Sequence, residues 1–407
     1  MAPTPISVVR LSSRPLVHTA TARRGLADVP VKAKAAPRFG KVTLSGIQPT
    51  GIPHLGNYLG ALQNWARIQH DKTDPDQRYF YMAADLHAIT VPQNPKDLHR
   101  QIEDAMIAIL ACGIDPKKSV LFQQSMIPQH SELAWIMFCR TPVGWLSRMH
   151  QWKSKLQALQ KASGSASQSL AATTLSLDAV APTSGDGPDP TQGLCVGLFA
   201  YPVLQAADIL LYKATEVPVG EDQVQHLELT AEIARIFNNS AKKDLFPIPK
   251  AVLPTAGAKR IMSLKDPHSK MSKSDPNAGS RINIDDTPEQ ISSKIKKATV
   301  DSIRGITYDP AGRPGIANLL SIYCSLHPTE TDPVAVAEQF QSLGNAEFKK
   351  AVADVVIESL TPVRNEIARL RHDRTLLHEL LREGNQAATA TAERTLTEVK
   401  RSVGLLP

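Results

Sequence analysis

KVTLSGIQPTGIPHLGN, residues 41–57, begins as a strand and ends as a helix. Lys41–Ser45 predicts a short β-strand, and the apolar spacing of Gly56–His70 predicts the helix that follows it. The chain therefore opens its ordered part with a strand–loop–helix unit, which is the building block of a parallel sheet.

Further strand and helix signals alternate after this unit. Tyr79–Ala84 and Val120–Gln123 are continuous apolar runs, as expected for strands covered on both faces. Lys96–Ala111 and Glu132–Cys139 have helical spacing and stand behind these strands. Because strands alternate with helices, the sequence predicts an α/β fold, a Rossmann-like parallel sheet with crossover helices.

The strand signal fades after about residue 314, and a helical C-terminal domain is predicted. Its expected helices cover residues 315–326, 333–342, 346–360, 362–383 and 386–403. A length of 407 residues favours more than one domain. The predicted division is 1–38, 39–225, 226–312 and 313–407, the third segment continuing the catalytic domain and the last being a helical domain.

Positive charge is concentrated at the N-terminus. The formal net charge is +7, and residues 1–38 carry seven basic residues against Asp28, which leaves a net of one positive charge for the remainder. The net charge of the remaining residues therefore gives no indication of nucleic-acid binding. The first 27 residues contain no acid, several Ser and Thr and spaced arginines, which is the composition of a mitochondrial transit peptide, with a plastid one or a disordered tail as alternatives.

Three further features of the sequence bear on the class of the protein and on its organisation. Residues 193–212 are almost apolar enough to span a membrane, but Pro202 and Asp208 favour a buried core helix that begins near the proline. Residues 163–192 contain 21 Ser, Ala, Thr, Gly or Pro in 30 positions, which predicts a disordered insertion of about 156–192. Four separated cysteines without a CxxC pair argue against a disulfide framework or a structural zinc.

The first chemical motif is Pro53–Asn57. Gly56 lets backbone approach a ligand without a Cβ, and His54 and Asn57 supply neutral polar groups beside a helix N-terminus, which favours anions. The alternative interpretation is an ordinary helix start with a solvent-facing histidine.

The second motif is Lys270–Ser274, where two ammonium groups lie three residues apart with Met271 and Ser272 between them. Attack on the α-phosphorus of ATP builds negative charge that such cations stabilise in the transition state. The alternative is a solvated basic loop. Together the motifs predict ATP-dependent chemistry at the α-phosphate.

These two motifs resemble the HIGH and KMSKS motifs of class I aminoacyl-tRNA synthetases. Over roughly residues 41–405 the chain is most similar to the tryptophan-specific branch, through residues 45–51, 85–90, 201–212 and 217–223. Asn57 stands where many class I enzymes have a second histidine, and Gln205 where bacterial members often have methionine.

The resemblance implies roles for individual residues. Asp208 would accept the indole N–H, Tyr201 and His87 would help line the amino-acid pocket, and Gln223 would hold the amino-acid end. ATP contacts would come from Gln48, Gly56, Asn57, Gly220, Glu221, Asp222, Ile261, Lys270, Met271, Ser272, Lys273 and Ser274. Lys270, Lys273 and His54 would serve catalysis, and Lys153 and Lys155 would reach phosphates. For His87, Tyr201, Asp208, Lys153 and Lys155, a core or surface role stays open.

The resemblance also implies partners. They are L-tryptophan, ATP with Mg²⁺, tRNA(Trp) bound through the C-terminal domain, and a second copy in a homodimer. No protein-bound metal and no membrane are expected, and the implied location is the mitochondrial matrix. Two rivals stay open at this point: a tyrosyl-tRNA synthetase, and a catalytically idle paralogue that binds RNA.

Overall fold

Five parallel strands form a single sheet in the part of the chain that the structure describes. The computed structural model describes residues 39–71, 74–150, 152–154, 195–253, 260–273 and 275–407. The strands are β1 (Val42–Ile47), β2 (Arg78–Ala83), β3 (Ser119–Gln123), β4 (Glu216–Pro218) and β5 (Lys250–Val252). Their order is β3-β2-β1-β4-β5, and every neighbouring pair is parallel. The predicted α/β class with a parallel sheet is confirmed.

Helices connect and cover these strands. Behind β1, a short turn of α-helix passes through a π-helical turn (Tyr58–Leu62) into a longer helix. The α-helices of the described residues are α1 (Leu55–Asn57), α2 (Gln63–His70), α3 (Asp85–Ala88), α4 (Pro95–Ala111), α5 (Gln129–Phe138), α6 (Val143–Leu146), α7 (Val196–Leu211), α8 (Val224–Ala241), α9 (Pro288–Lys296), α10 (Pro314–Leu326), α11 (Pro333–Gln339), α12 (Asn345–His372) and α13 (Arg374–Ser402). Short 3-10 turns lie at Gln124–Met126, Glu221–Gln223 and Ala278–Ser280.

The strand order reverses at β1. From β1 the chain moves outward on one side to β2 and β3, and it then returns to pair β4 with the other side of β1. In open parallel sheets, the crevice at the carboxyl ends of the strands next to such a reversal is the usual ligand site. The topology therefore directs attention to the carboxyl ends of β1 and β4.

The sheet is buried on both faces because residues along β2 alternate between two cores. Tyr79 and Tyr81 face a core built with α2, α4 and the C-terminal helices α10 and α12. Phe80 and Met82 face a second core built with α5, α7, α8 and α13. This explains why the central strands are almost continuously apolar in sequence.

The predicted breaks within the last helices are wrong. Helix α12 continues through Pro362, and the single interruption between α12 and α13 is at Asp373. Pro362 removes one backbone donor from the helix interior, but Leu360 and Val363 on either side of it are buried in an unbroken apolar face. That burial outweighs the cost of the proline.

The predicted start of the apolar helix near Pro202 is also wrong. Helix α7 begins six residues earlier, at Val196, and Pro202 lies inside it. Val203 and Ala206 are fully buried in the second core, so packing again extends the helix across a proline. Among the described residues, no helix is both long and apolar enough to cross a membrane.

Several predictions fall outside the described residues. They concern the segment 1–38, the insertion at about 156–192, Lys155 and Ser274. The domain boundaries at 225/226 and 312/313 stay predictions.

Gly384 in α13 is where the C-terminal helix meets edge strand β3. A Cβ on Gly384 would lie 1.8 Å from the Leu121 carbonyl oxygen, and Asn385 accepts a hydrogen bond from the Gln123 amide at 3.0 Å. We expect Gly384→Ala to lower the free energy of unfolding by about 1–3 kcal/mol, because α13 must move away from the strand. Urea unfolding followed by circular dichroism measures this change.

The sign of the result is diagnostic. In an open helical position the same substitution is stabilising by up to about 1 kcal/mol. The exposed neighbour Glu383 provides a control, and Glu383→Ala is expected to change stability by less than about 0.5 kcal/mol. Stabilisation by Gly384→Ala would contradict the close packing of α13 on β3.

Candidate active site

A cavity of about 740 Å³ opens at the carboxyl ends of β1, β2 and β4. It lies where the strand order reverses, which is the place that the topology indicates. Its wall includes residues of the first motif, residues of the second motif, one side of α7, and the turn after β4. Both sequence motifs therefore contribute to a single cavity.

His54 caps the first helical turn of the motif. The Asn57 amide donates to His54 Nδ1 at 3.3 Å, and the His54 amide donates to Asn57 Oδ1 at 3.2 Å. Burial, assisted by the charges of Lys273 and Lys270, lowers the pKa of His54 to about 4. The ring is thus neutral near pH 7 with its lone pair on Nδ1, so the proton is on Nε2. His54 enters the cavity wall as a neutral N–H donor.

Gly56 gives the His54 ring room to form this cap. A Cβ at Gly56 would lie 3.0 Å from His54 Cε1 and 3.1 Å from its Nδ1. Gly56 does not line the cavity. A side chain at this position would therefore press on the histidine ring and would not enter the cavity.

The chain after the second motif pairs directly with the first. The Leu55 amide donates to the Ile282 carbonyl at 2.7 Å, and the Ile284 amide donates to the Pro53 carbonyl at 3.1 Å. His54 and Asn283 form an antiparallel bridge between the same two segments. These backbone bonds fix the spacing between the motifs without help from side chains.

Lys273 reaches across the cavity to the loop before the first motif. Its Nζ donates to the Gly51 carbonyl at 2.6 Å and lies 3.3 Å from Thr50 Oγ1. Gly51 has φ +90°, a backbone conformation that strongly favours glycine. The carbonyl oxygen of Gly51 in this turn faces the ammonium group. Lys270, the other cation of the motif, also lines the cavity.

The ionisation of Lys273 makes the site sensitive to alkaline pH. Burial, with a further contribution from the charge of Arg281, lowers the pKa of Lys273 to about 8. Because the ammonium form is the protonated one, it predominates below pH 8 and is lost above it. We expect kcat/KM for ATP to fall as the pH rises through about 8, since this parameter reports ionisations of the free enzyme.

Lys273→Arg separates this ionisation from others in the assay. A guanidinium stays protonated throughout the accessible range, so the alkaline decline should disappear or move upward by more than one pH unit. An unchanged decline in the arginine variant would show that another group is responsible.

Asp208 on α7 is fully buried and surrounded by donors. His87 Nε2 donates to Oδ2 at 2.7 Å, while Gln124 Nε2 and His130 Nδ1 donate to Oδ1 at 2.8 and 2.6 Å. Burial alone would raise the pKa of Asp208, but the hydrogen bonds from His130 and His87 more than offset it and hold the pKa well below its usual range. The acid is therefore a carboxylate that can accept a further N–H.

The structure places most of the other predicted residues in the cavity wall. Tyr201 lines it and its hydroxyl lies 2.7 Å from His226 Nε2. The lining residues among those predicted are Gln48, His54, Asn57, His87, Tyr201, Asp208, Gly220, Asp222, Gln223, Lys270, Met271, Ser272 and Lys273.

Four predicted residues are described but do not line the cavity: Gly56, Glu221, Ile261 and Lys153. The Ile261 carbonyl accepts from the Met271 amide at 3.1 Å, so Ile261 supports the second motif through its backbone. Lys153 has an exposed side chain. Lys155 and Ser274 lie outside the described residues.

Sequence reasoning missed Gln124, His130 and Arg281. Gln124 and His130 lie in the turn after β3 and at the start of α5, and they meet Asp208 only because α5 packs against α7. For Gln124, the available signal was a polar side chain directly after a predicted strand. Arg281 had no signal, since it acts through its charge on His54 and Lys273.

Metal-ligating side chains do not cluster in the part of the chain that the structure describes. Groups of three or more His, Cys, Asp or Glu side chains arranged to hold a metal ion are absent among these residues.

Comparison with known proteins gives a consistent family. The family described as "tRNA synthetases class I (W and Y)" matches residues 41–361. A relative in Schizosaccharomyces pombe, "Tryptophan--tRNA ligase, mitochondrial", is 43% identical over 363 residues, which cover 89% of this chain and 95% of the relative. "Tryptophan--tRNA ligase" of Rickettsia conorii is 41% identical over 366 residues, 90% of this chain and 99% of the relative.

Solved structures resemble the chain in the same way. Tryptophanyl-tRNA synthetase from Mycoplasma pneumoniae has a TM-score of 0.73 at 32% identity, covering 89% of this chain and 97% of the other. The enzyme from Campylobacter jejuni, complexed with ADP and tryptophan, has a TM-score of 0.69 at 27% identity, covering 89% and 99%.

Proposed function

The chain belongs to the class I tRNA synthetases for tryptophan and tyrosine, and we propose that its central cavity is where L-tryptophan reacts with ATP. Its activity is that of a tryptophan–tRNA ligase. The observation that carries the proposal is the meeting of both nucleotide motifs and the buried Asp208 in one cavity.

The reaction has two steps. A carboxylate oxygen of tryptophan attacks the α-phosphorus of ATP, the bond to the bridging oxygen breaks, and pyrophosphate leaves. A ribose hydroxyl at the 3′ end of tRNA(Trp) then attacks the acyl carbon and AMP leaves. Neither step needs a covalent protein nucleophile, so positioning and charge stabilisation supply the rate.

The nucleotide binds at the end of the cavity where the two motifs meet. Lys273 and Lys270 stabilise charge that develops on the phosphoryl oxygens and on pyrophosphate. His54 adds a neutral N–H donor, and Asn57 holds that histidine in the required tautomer. Mg²⁺ enters with the triphosphate as Mg-ATP. Gln48, Gly220 and Asp222 also line the cavity. Gln48 would contact ATP together with the first motif, and Gly220 and Asp222, with the neighbouring Glu221, would contact ribose and adenine.

Tryptophan binds at the end formed by α7 and α3. Asp208 accepts the indole N–H, His87 and Tyr201 line the pocket, and Gln223 holds the amino-acid end. Gln205 Nε2 lies 3.4 Å from Gln223 Oε1, so the polar residue that replaces the bacterial methionine supports the residue that holds the substrate. A site that pairs a substrate N–H rejects analogues lacking it by roughly 10⁴–10⁵, which removes the need for a proofreading domain.

The segment from residue 313 onward would bind the anticodon side of tRNA, and the enzyme would act as a homodimer in the mitochondrial matrix. Support for the location comes from the composition of residues 1–38 and the mitochondrial S. pombe relative. Support for the dimer comes from apolar side chains left in solvent on α5 and α6, where Trp135 is 68% and Val143 is 66% exposed. Light scattering of the purified protein tests the dimer.

Amino-acid-dependent ATP–pyrophosphate exchange across all twenty amino acids tests the activity. We expect exchange with tryptophan only, and esterification of tRNA(Trp) by the same preparation. Exchange with tyrosine would assign the chain to the other branch of the family, and RNA binding without exchange would identify an idle paralogue.

A further inference from the structure

Behind Asp208 lies a chain of buried polar groups that does not reach the cavity. His130 is fully buried, donates from Nδ1 to Asp208 Oδ1 at 2.6 Å, and has its Nε2 2.9 Å from the Tyr212 hydroxyl. Asp208 and His87 line the cavity, whereas His130 and Tyr212 do not. The two residues therefore act on Asp208 from the protein side.

The geometry fixes which atom carries each proton. Tyr212, at 2% exposure, keeps its proton because burial raises the pKa of its phenol. Its O–H donates to His130 Nε2, so a neutral His130 must carry its proton on Nδ1, where it donates to Asp208. Tyr212 follows the last residue of helix α7 and lies four residues after Asp208. The hydrogen bonds from Asp208 through His130 to Tyr212 therefore begin and end on the same helix.

The two oxygens of Asp208 have different surroundings. Oδ1 accepts from both Gln124 and His130, neither of which lines the cavity, while Oδ2 accepts from His87, which does. Protein donors hold Oδ1, and the carboxylate is thereby kept from rotating. Oδ2 is the oxygen beside a cavity residue and has fewer protein donors.

We propose that His130, oriented by Tyr212, is a positioning residue that holds the Asp208 carboxylate for the indole N–H and so determines selectivity for tryptophan. This inference rests on the proposed function of the cavity. His130 does not touch the substrate. Its effect is to keep the acceptor in place, because a carboxylate that can rotate away gives the pocket less preference for a ring that has an N–H.

The test compares tryptophan with its benzothiophene isostere, in which sulfur replaces the ring N–H. The quantity measured is the ratio of kcat/KM for the two substrates in pyrophosphate exchange with the full-length protein. This ratio does not depend on the fraction of folded enzyme, so a variant that is merely destabilised leaves it unchanged.

Tyr212→Phe removes only the hydroxyl and releases the tautomer of His130. We expect the ratio to fall about tenfold, through KM for tryptophan, with KM for ATP unchanged. His130→Asn can still donate from the position of Nδ1 and should keep most of the ratio, whereas His130→Gln should lose it. An unchanged ratio in both Tyr212→Phe and His130→Gln overturns the proposal.

Asp208→Asn distinguishes failure of this inference from failure of the proposed function. If Asp208→Asn abolishes the preference for tryptophan and neither Tyr212→Phe nor His130→Gln reduces it, only the role of His130 is wrong. If the unmodified protein shows no tryptophan-dependent exchange, or Asp208→Asn keeps the preference, the assignment of the pocket is wrong and this inference is overturned with it.

Discussion

Lys273→Ala should slow tryptophan activation by roughly 10²–10³ while tryptophan binding changes little. The ammonium group lies 2.6 Å from the Gly51 carbonyl, at the end of the cavity where the two motifs meet. In the proposed reaction it stabilises charge that appears only as pyrophosphate departs. The loss should therefore fall on kcat for activation. Single-turnover formation of tryptophanyl-adenylate measures the rate, and equilibrium titration of tryptophan fluorescence quenching measures binding.

Lys117→Ala is the matched control. Lys117 is an exposed lysine in the turn before β3, at the opposite end of the strands from the cavity. The Lys117→Ala variant loses one positive charge, as Lys273→Ala does, and its activation rate should be unchanged. Normal activation in Lys273→Ala would show that the second motif does not act on the triphosphate.

Asp208→Asn should reduce kcat/KM for tryptophan by about 100-fold or more. In the proposed complex the substitution removes the charged acceptor of the indole N–H, and hydrogen bonds to charged groups contribute about 1.5–3 kcal/mol. It also leaves the donors His87 and His130 facing an uncharged amide in a buried place, which adds to the cost. Steady-state exchange kinetics should show the loss in kcat/KM for tryptophan and little change in KM for ATP.

Asp301→Asn is the control that distinguishes a loss of tryptophan recognition from a loss of protein stability. Asp301 forms a partly buried ion pair with Arg313 at 2.8 Å, away from the cavity lining. Its replacement should lower the thermal midpoint without changing KM for tryptophan. If Asp208→Asn behaved in the same way, Asp208 would be a structural acid and the tryptophan pocket would have to lie elsewhere.

The sheet could be predicted because its signals are local. The strands β1, β2 and β3 are each five or six residues long with buried apolar runs, and each lies within about two residues of its predicted range. Strands β4 and β5 have three residues each, which is too short for a periodic signal. Pro202 and Pro362 misled the helix prediction, since local propensity does not register the tertiary packing that carries α7 and α12 through them.

The site could be predicted only where a motif is continuous in sequence. His54, Lys270 and Lys273 stand in such motifs, and the structure brings them to one cavity. His130 lies 78 residues from Asp208, so only the packing of α5 on α7 reveals their contact. The backbone pairing of Ile282–Ile284 with Pro53–Leu55 is equally invisible beforehand, because backbone hydrogen bonds leave no trace in side-chain type.

The position of α13 has a consequence for how the protein is made. Ala388, Ala392 and Leu396 complete the second core, and they belong to α13, which is synthesised after all five strands and after the other described helices. Until α13 has been synthesised, strand β3 and the apolar side of α5 lack the helix that covers them. An exposed strand edge and apolar surface promote association with other nascent chains. A premature stop codon in α13 ahead of Leu396 should therefore remove part of the second core and cost the cell the whole folded protein.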